Sequence, residues 1–371
     1  MQDNVPIRVL YIYGGIMARG GIEAFMMNYY RHFDREKVQI DFVVHGHGKG
    51  VYDDEIEKMG GRIIHVPLRL KDPIGNKVAL QKLFLSGEYK VVHSHMDAMN
   101  AWSLQIAKKC GIPVRISHSH NTAVISNSRI KKLLHNVTKK RIPKVATHLL
   151  ACSGLAGAWL YGDHEYQVIP NAIDIERFSY DAEKRQKLRQ ALGYQSTDIV
   201  LGHVGRFDTQ KNHVFLIDIM KKLVACSDRY QLLMIGDGDL KSEIMQKVQE
   251  LGLTDRIKIL NACPNVNEYY NVFDCFCLPS LFEGLGIVGI EAQVNGLTCV
   301  ISDTVPKELD ITGNMHFLPI GNDNIDAWIN ILMNVSTKRN HTVVEKASQK
   351  HYDICTSAKI LQAIYTEALE Y

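Results

Sequence analysis

The stretch Cys275-Phe-Cys-Leu-Pro279-Ser-Leu-Phe-Glu283-Gly-Leu-Gly-Ile-Val-Gly-Ile-Glu291 decides the reading of this chain. Its apolar opening predicts a buried strand, its glycines a turn, and its closing run a helix. A strand, a glycine-bearing turn and a helix together make an anion site, because uncapped backbone N–H groups and the helix dipole face the same point. Glu283 is expected in the turn and Glu291 about two turns into the helix, and eight residues at about 1.5 Å each would separate them by roughly 12 Å. That separation suits a ligand with a sugar at one end and a ribose at the other. Taken alone, the pair is equally a capping carboxylate and an ordinary helix glutamate.

The same strand–helix rhythm runs along the whole chain. Strands are predicted at Arg8–Tyr13, Gln39–Val44, Arg62–Val66, Val91–Ser94, Val114–His118, Thr147–Ala151 and Gln167–Ile169, with helical spacing at Gly21–His32, Asp53–Met59 and Ala98–Lys109. After Pro170–Asp174 and a polar stretch from Arg177 to Ser196, the rhythm restarts. Strands are then expected at Ile199–Val204, Gln231–Ile235, Ile257–Leu260, Cys275–Leu278, Thr298–Ile301 and His316–Leu318. Helices are expected at Val214–Ala225, Lys241–Leu251, Ile287–Asn295, Ile325–Asn334 and Ser357–Glu370. Two α/β domains with parallel sheets follow. The expected bounds are 1–170 and 171–351, with the helix at about 352–371 packing back on the first domain.

Composition is consistent with this. At 371 residues and 46% hydrophobic content, the chain is too long for one comfortable core. No run reaches the roughly 18 apolar residues of a membrane span. Arg8 and the glycines after the first strand argue against a secretory signal. Eight scattered cysteines suggest neither a disulfide framework nor a zinc site, and a cytosolic setting is expected. Cys275 and Cys277 alternate as buried strand residues would. The net charge of +3 conceals an asymmetry. Residues 98–162 hold ten Lys and Arg and no acid, leaving 33 basic and 40 acidic residues elsewhere. Such a segment implies an anionic partner.

Three further sets of residues carry chemistry. Val204-Gly-Arg-Phe-Asp-Thr-Gln-Lys211-Asn lies between a strand and a helix; Arg206 offers a planar fork to phosphate oxygens and Lys211 a point charge. Alone, they are two solvated loop cations. Gly14-Gly15 and Gly20-Gly21-Ile22-Glu23 follow the first strand, where glycines let a ligand approach the backbone, or form a plain turn. Their spacing departs from the Gly-x-Gly-x-x-Gly dinucleotide fingerprint, which disfavours a dinucleotide-dependent oxidoreductase. His93-Ser-His95 and His118-Ser-His120-Asn121 each end a predicted parallel strand, where open α/β sheets bind ligands. No Cys or carboxylate stands at ligand spacing beside them, so no metal is expected; hydrogen bonding to a sugar or acceptor is the better reading.

Together with Val168-Ile-Pro-Asn-Ala-Ile-Asp174 and Gly236-Asp-Gly238, these sets resemble the retaining glycosyltransferases of family four, which have the GT-B fold: two Rossmann-like domains with sheets facing across a cleft. The resemblance covers nearly the whole chain. The runs Val92-His-Ser-His-Met-Asp-Ala-Met and Arg115-Ile-Ser-His-Ser-His-Asn121 are similar to those of bacterial exopolysaccharide and capsule enzymes. The resemblance implies a nucleotide-sugar donor as substrate, with uridine diphosphate as leaving group, and no cofactor. It assigns the diphosphate to Arg206 and Lys211, the ribose to Glu291 and the transferred sugar to Glu283. Gly20, Gly21, Gly284 and Leu285 would line the donor, and His118, with His120 as its rival, would sit at the reaction centre. Glu23, His95, His120 and Asn121 would face the acceptor. Asn261-Ala262 departs from the pattern where many relatives have glycine, which leaves the base open.

The basic segment 129–144 interleaves Arg129, Lys131, Lys132, Lys139, Lys140, Arg141 and Lys144 with Ile130, Leu133, Leu134, Val137 and Ile142. It reads as a surface for an anionic membrane, which suits a glycan or polyprenyl-diphosphate-linked acceptor at the inner face of the cell membrane; a solvated basic helix is the alternative. Nucleic acid is not expected, because Trp102, Trp159 and Tyr161 lie apart from the cluster in sequence. A nucleotide-sugar epimerase and a non-catalytic sugar-nucleotide-binding protein remain as alternatives.

Overall fold

The structure is a computed structural model that describes residues 5–123, 129–313, 315–334, 336–340 and 343–369; the side chains of Arg129–Lys132 and Leu134 lie outside the described set. The chain divides into two units, Met1–Ala172 with Ile354–Tyr371, and Ile173–Asp353.

The first unit carries strands β1 (Ile7–Ile12), β2 (Val38–His45), β3 (Ile63–Val66), β4 (Val91–Ser94), β5 (Val114–Ser119), β6 (His148–Ala151) and β7 (Gln167–Val168). They form one sheet in the order β3-β2-β1-β4-β5-β6-β7, parallel at every pairing. All eight residues of β2 are buried, as a strand covered on both faces requires. Its Asp41 survives burial because Arg8, Arg62 and Tyr89 donate to it. The helix Gly21–His32 and the last helix, Ile354–Glu367, cover one face. Phe25, Tyr29, Leu361 and Tyr365 share a core there with Val9 and Phe42.

The second unit holds β8 (Ile199–Val204), β9 (Tyr230–Ile235), β10 (Ile257–Leu260), β11 (Cys275–Leu278), β12 (Thr298–Ser302) and β13 (Met315–Leu318), ordered β10-β9-β8-β11-β12-β13 and again parallel. Cys275 and Cys277 are buried strand residues, as their alternation predicted. In both sheets the strand order reverses beside the first strand, between β1 and β4 and between β8 and β11. The loops leaving the carboxyl ends at such a reversal diverge and open a crevice. In the second unit these loops are 205–212 and 279–286.

Two readings need correction. The polar stretch after Arg177, for which no element was predicted, is largely helical. It folds into the helices Ile175–Phe178 and Ala182–Ala191, held to the second unit because Arg185 and Arg189 both bind Asp274. A buried carboxylate 85 or more residues away gives no local signal. The helix after Glu283 begins only at Ile287, so Glu291 stands about one turn in, and a helical rise of roughly 12 Å from Glu283 does not apply. Helices at Pro73–Phe84, Gly154–Tyr161 and Val343–Gln349 were not anticipated.

Candidate active site

In the second unit the two diverging loops are stitched together. Leu281 N–H donates to the Gln210 carbonyl at 2.8 Å, Gln210 Nε2 to the Phe282 carbonyl at 3.0 Å, and Asn212 Nδ2 to the Pro279 carbonyl at 3.2 Å. This frame sets Lys211 Nζ 2.6 Å from Glu283 Oε1, with both side chains largely buried. Gln210 Nε2 reaches the other Glu283 oxygen at 3.4 Å. Residues 72 apart in sequence thus form a charged pair at the sheet's reversal. Beside them, Gly284 and Leu285 are buried, and the helix from Ile287 starts after Gly286 with no side-chain cap. Gly289 N–H is taken by the Gly286 carbonyl at 2.9 Å, and a helix start left without a side-chain cap is suited to an anion.

Arg206 differs from Lys211. It is exposed, and among the described residues no carboxylate pairs with it. Its loop is shaped from below by Gly236, where an added Cβ would lie 1.9 Å from the Gly205 carbonyl oxygen. Glycine is required there for the loops after β8 and β9 to pack backbone to backbone. This gives the Gly236-Asp-Gly238 motif a structural reason.

Glu291 is 8% exposed and accepts a 2.5 Å hydrogen bond from the Tyr270 hydroxyl. Burial pushes its carboxyl up to about 7. Sequence reasoning missed Tyr270, which belongs to no motif, and Gln210, which stands beside Lys211 in its motif but was given no role; only the fold brings them to the glutamates. It also missed the neutral pair His203 and His213 behind Lys211. Burial holds His203 down at about 4 and His213 at about 2. Asn261, where the resemblance led to an expectation of glycine, engages Lys241 through its side chain.

In the first unit, Gly20 caps the helix Gly21–His32. A Cβ on Gly21 would meet nothing within 4 Å, so packing does not demand glycine there and a close ligand remains a reason for it. Glu23 in the same helix is 2% exposed. The four histidines form one buried cluster. His93 and His118 stack at 5.3 Å, His118 and His120 at 4.4 Å, and His95 Nδ1 lies 2.9 Å from His120 Nε2. Of the two candidates for the reaction centre, His118 is wholly buried and His120 is 7% exposed. His120 N–H and Asn121 Nδ2 both donate to Asp97, at 2.8 and 2.6 Å.

His93, His95 and His118 bring one ring nitrogen each within 4.8 Å of one another, a juxtaposition that linear spacing had not suggested. Both His93 nitrogens are already engaged, Nδ1 with Tyr365 and Nε2 with His118.

The basic helix Arg129–Lys139 exposes Leu133 and Val137, and Lys140, Arg141 and Lys144 are exposed beyond it. Arg129, Ile130, Lys131, Lys132 and Leu134 carry side chains outside the described set. Lys139 turns inward, donating to the Trp159 carbonyl at 2.7 Å with its ammonium 5.5 Å from the Trp159 ring centre. Trp159 is therefore not apart from the cluster, because the helix Gly154–Tyr161 returns it there. Among the described residues no helix is long and apolar enough to cross a membrane.

Comparison with known proteins accords with this geometry. Residues 19–177 match the model of Glycosyltransferase Family 4, and residues 184–349 that of Glycosyl transferases group 1. EpsF of Bacillus subtilis is 31% identical over 98% of this chain and 97% of its own. The UDP-Gal:alpha-D-GlcNAc-diphosphoundecaprenol alpha-1,3-galactosyltransferase of Escherichia coli is 26% identical over 72% of each chain. Among solved structures, HepE of Anabaena in complex with UDP-glucose superposes with a TM-score of 0.72 at 18% identity, over 98% of both chains. The crevice-forming loops, the charged pair between them and this full-length likeness place the chain in glycosyltransferase family four, with the GT-B fold.

Proposed function

We propose that the protein is a retaining glycosyltransferase that moves a hexose or N-acetylhexosamine from a UDP-sugar to a lipid-linked glycan acceptor during exopolysaccharide or capsule synthesis. The observation that carries this reading is the Lys211–Glu283 pair beside the uncapped start of the helix at Ile287. Lys211, the helix end and the exposed Arg206 would neutralise the departing diphosphate, the main electrostatic demand of the reaction. Glu283 would hold the hydroxyls of the transferred sugar and Glu291 the ribose. The leaving phosphate oxygen would take the proton of the incoming hydroxyl on the same sugar face, so no covalent carboxylate is needed. No metal takes part in this scheme; the side chains and the helix end supply the positive potential. The acceptor class is supported by the Escherichia coli relative, whose name specifies a diphosphoundecaprenol-linked sugar. Incubation with UDP-sugars and a polyprenyl-diphosphate-linked acceptor, followed by assignment of the product's anomeric configuration, tests the proposal. An inverted product excludes retention, and UDP-sugar consumption with no acceptor product favours the epimerase alternative.

Acid should weaken donor binding through Glu291. The ionised carboxylate is the form that accepts ribose hydroxyls, and burial lifts its titration to about 7. One pH unit below that value, about a tenth remains ionised, so the donor KM should rise about tenfold. The stability contribution runs the other way: it is fully present below the ordinary carboxylate range and is lost as pH rises through about 7. Glu291→Gln should abolish the KM slope between pH 6 and 8. A slope that persists in the variant assigns the titration elsewhere.

The segment at 129–144 would hold the enzyme at the cytoplasmic surface of the membrane, where the acceptor resides. Its exposed Leu133 and Val137 accompany the exposed cations Lys140, Arg141 and Lys144. Each such cation is worth about 1 kcal/mol near an anionic bilayer. The protein should float with phosphatidylglycerol vesicles and not with phosphatidylcholine ones, and Lys140→Glu with Arg141→Glu should abolish flotation. Equal flotation with both vesicle types would remove the membrane role.

A further inference from the structure

The buried histidines are the end of a longer chain of polar groups. Tyr11 Oη lies 2.7 Å from Tyr365 Oη, Tyr365 Oη 2.7 Å from His93 Nδ1, and His93 Nε2 3.2 Å from His118 Nδ1. His118 Nε2 is buried with no hydrogen-bond partner. All four side chains are 0% exposed. Burial pushes both imidazoles well below the ordinary histidine range, so each carries one N–H, as each phenol carries one O–H.

With one proton per group, the direction of the Tyr365–His93 contact fixes the tautomer of both imidazoles. In one direction Tyr11 donates to Tyr365, Tyr365 to His93 Nδ1, and His93 Nε2–H to His118 Nδ1. His118 then carries its proton on Nε2. In the other direction His118 Nδ1–H donates to His93, His93 to Tyr365, and Tyr365 to Tyr11. One phenol O–H is then left without an acceptor, that of Tyr11 or, if Tyr11 donates instead, that of Tyr365, because Tyr365 is the only hydrogen-bond partner of Tyr11 among the described residues, and His118 Nε2 is left as a bare lone pair. The first arrangement orphans one buried polar atom and the second orphans two, so the first is favoured.

We infer that Tyr365, supported by Tyr11, is a positioning residue that fixes the tautomer of His118, so that His118 offers an Nε2–H donor to a ligand oxygen and does not act as a base. Its catalytic consequence rests on the glycosyl-transfer reading above, with the oxygen belonging to the sugar nucleotide. The tautomer itself does not depend on that reading. The last helix, through Tyr365, thereby sets the chemistry of an imidazole at the end of β5.

Long-range proton–nitrogen correlation spectra of the full-length protein with 15N-histidine separate the two tautomers, and a His118→Asn sample assigns the signals. The wild type should show a protonated Nε2 and a bare Nδ1 on His118. Tyr365→Phe and Tyr11→Phe keep the packed rings and remove a hydroxyl; Tyr365→Phe should give mixed tautomers, whereas Tyr11→Phe should keep the wild-type tautomer, because Tyr365 can still donate to His93. Tyr365→Phe should also lower turnover by roughly tenfold, the scale expected when an imidazole's orienting partner is lost. A protonated Nδ1 in the wild type would overturn the inference, as would an unchanged tautomer in Tyr365→Phe. So would one equivalent of zinc in the purified protein, since the metal would occupy the lone pairs counted above. A shifted tautomer with full turnover would overturn the catalytic half and leave the glycosyltransferase reading standing.

Discussion

Lys211→Ala is expected to lower turnover by about 10²–10³-fold, the usual cost of removing one preorganised charge that meets a developing anion. The expectation follows from position: Lys211 is fixed by its loop's bonds to 279–283 and sits beside the helix end at Ile287. The substitution also leaves Glu283 largely buried without its counter-charge. Breaking a buried pair from one side typically costs about 3–5 kcal/mol, and the partial exposure of Lys211 places this case at or below the lower end. Thermal unfolding should therefore show a lowered midpoint and a cooperative transition. Lys211→Arg restores the charge but not the compact shape, and should recover only part of the rate. Steady-state kinetics on purified variants check this. Near-full activity in Lys211→Ala would remove the proposed role.

Glu283→Gln should reduce turnover by about 10²-fold while disturbing the fold less than Lys211→Ala does. The amide keeps the size of the carboxylate and one acceptor oxygen for Gln210, but it loses the charge facing Lys211 and the strong acceptor offered to sugar hydroxyls. Because the two side chains touch, their effects should not add. The double variant Lys211→Ala, Glu283→Gln should be less impaired than the product of the single effects. Strict additivity would mean that the two groups act at separate places.

The strands were legible because parallel sheets covered on both faces leave continuous apolar runs; the predicted Val91–Ser94 and Ile257–Leu260 coincide with the observed strands. Glycine turns and charge spacing singled out Lys211 and Glu283. What remained hidden depends on distant partners. The helix Ala182–Ala191 is very polar and went unpredicted, since its anchor Asp274 lies far away in the chain. Tyr270 reaches Glu291 from 21 residues away, and Tyr365 reaches His93 from 272 residues away. No periodicity encodes such pairings. The placement of Glu291 failed for a local reason, because helical rise was counted across a turn that is not helical.

The central claim is that Lys211, the helix start at Ile287 and the two glutamates form a nucleoside-diphosphate site. The most direct test is a crystal structure of the protein soaked with UDP. The account predicts the diphosphate within hydrogen-bond distance of Lys211 Nζ and of the backbone N–H groups at the helix start, with Glu291 on the ribose. A diphosphate bound elsewhere, with Lys211 and Glu283 untouched, would contradict it.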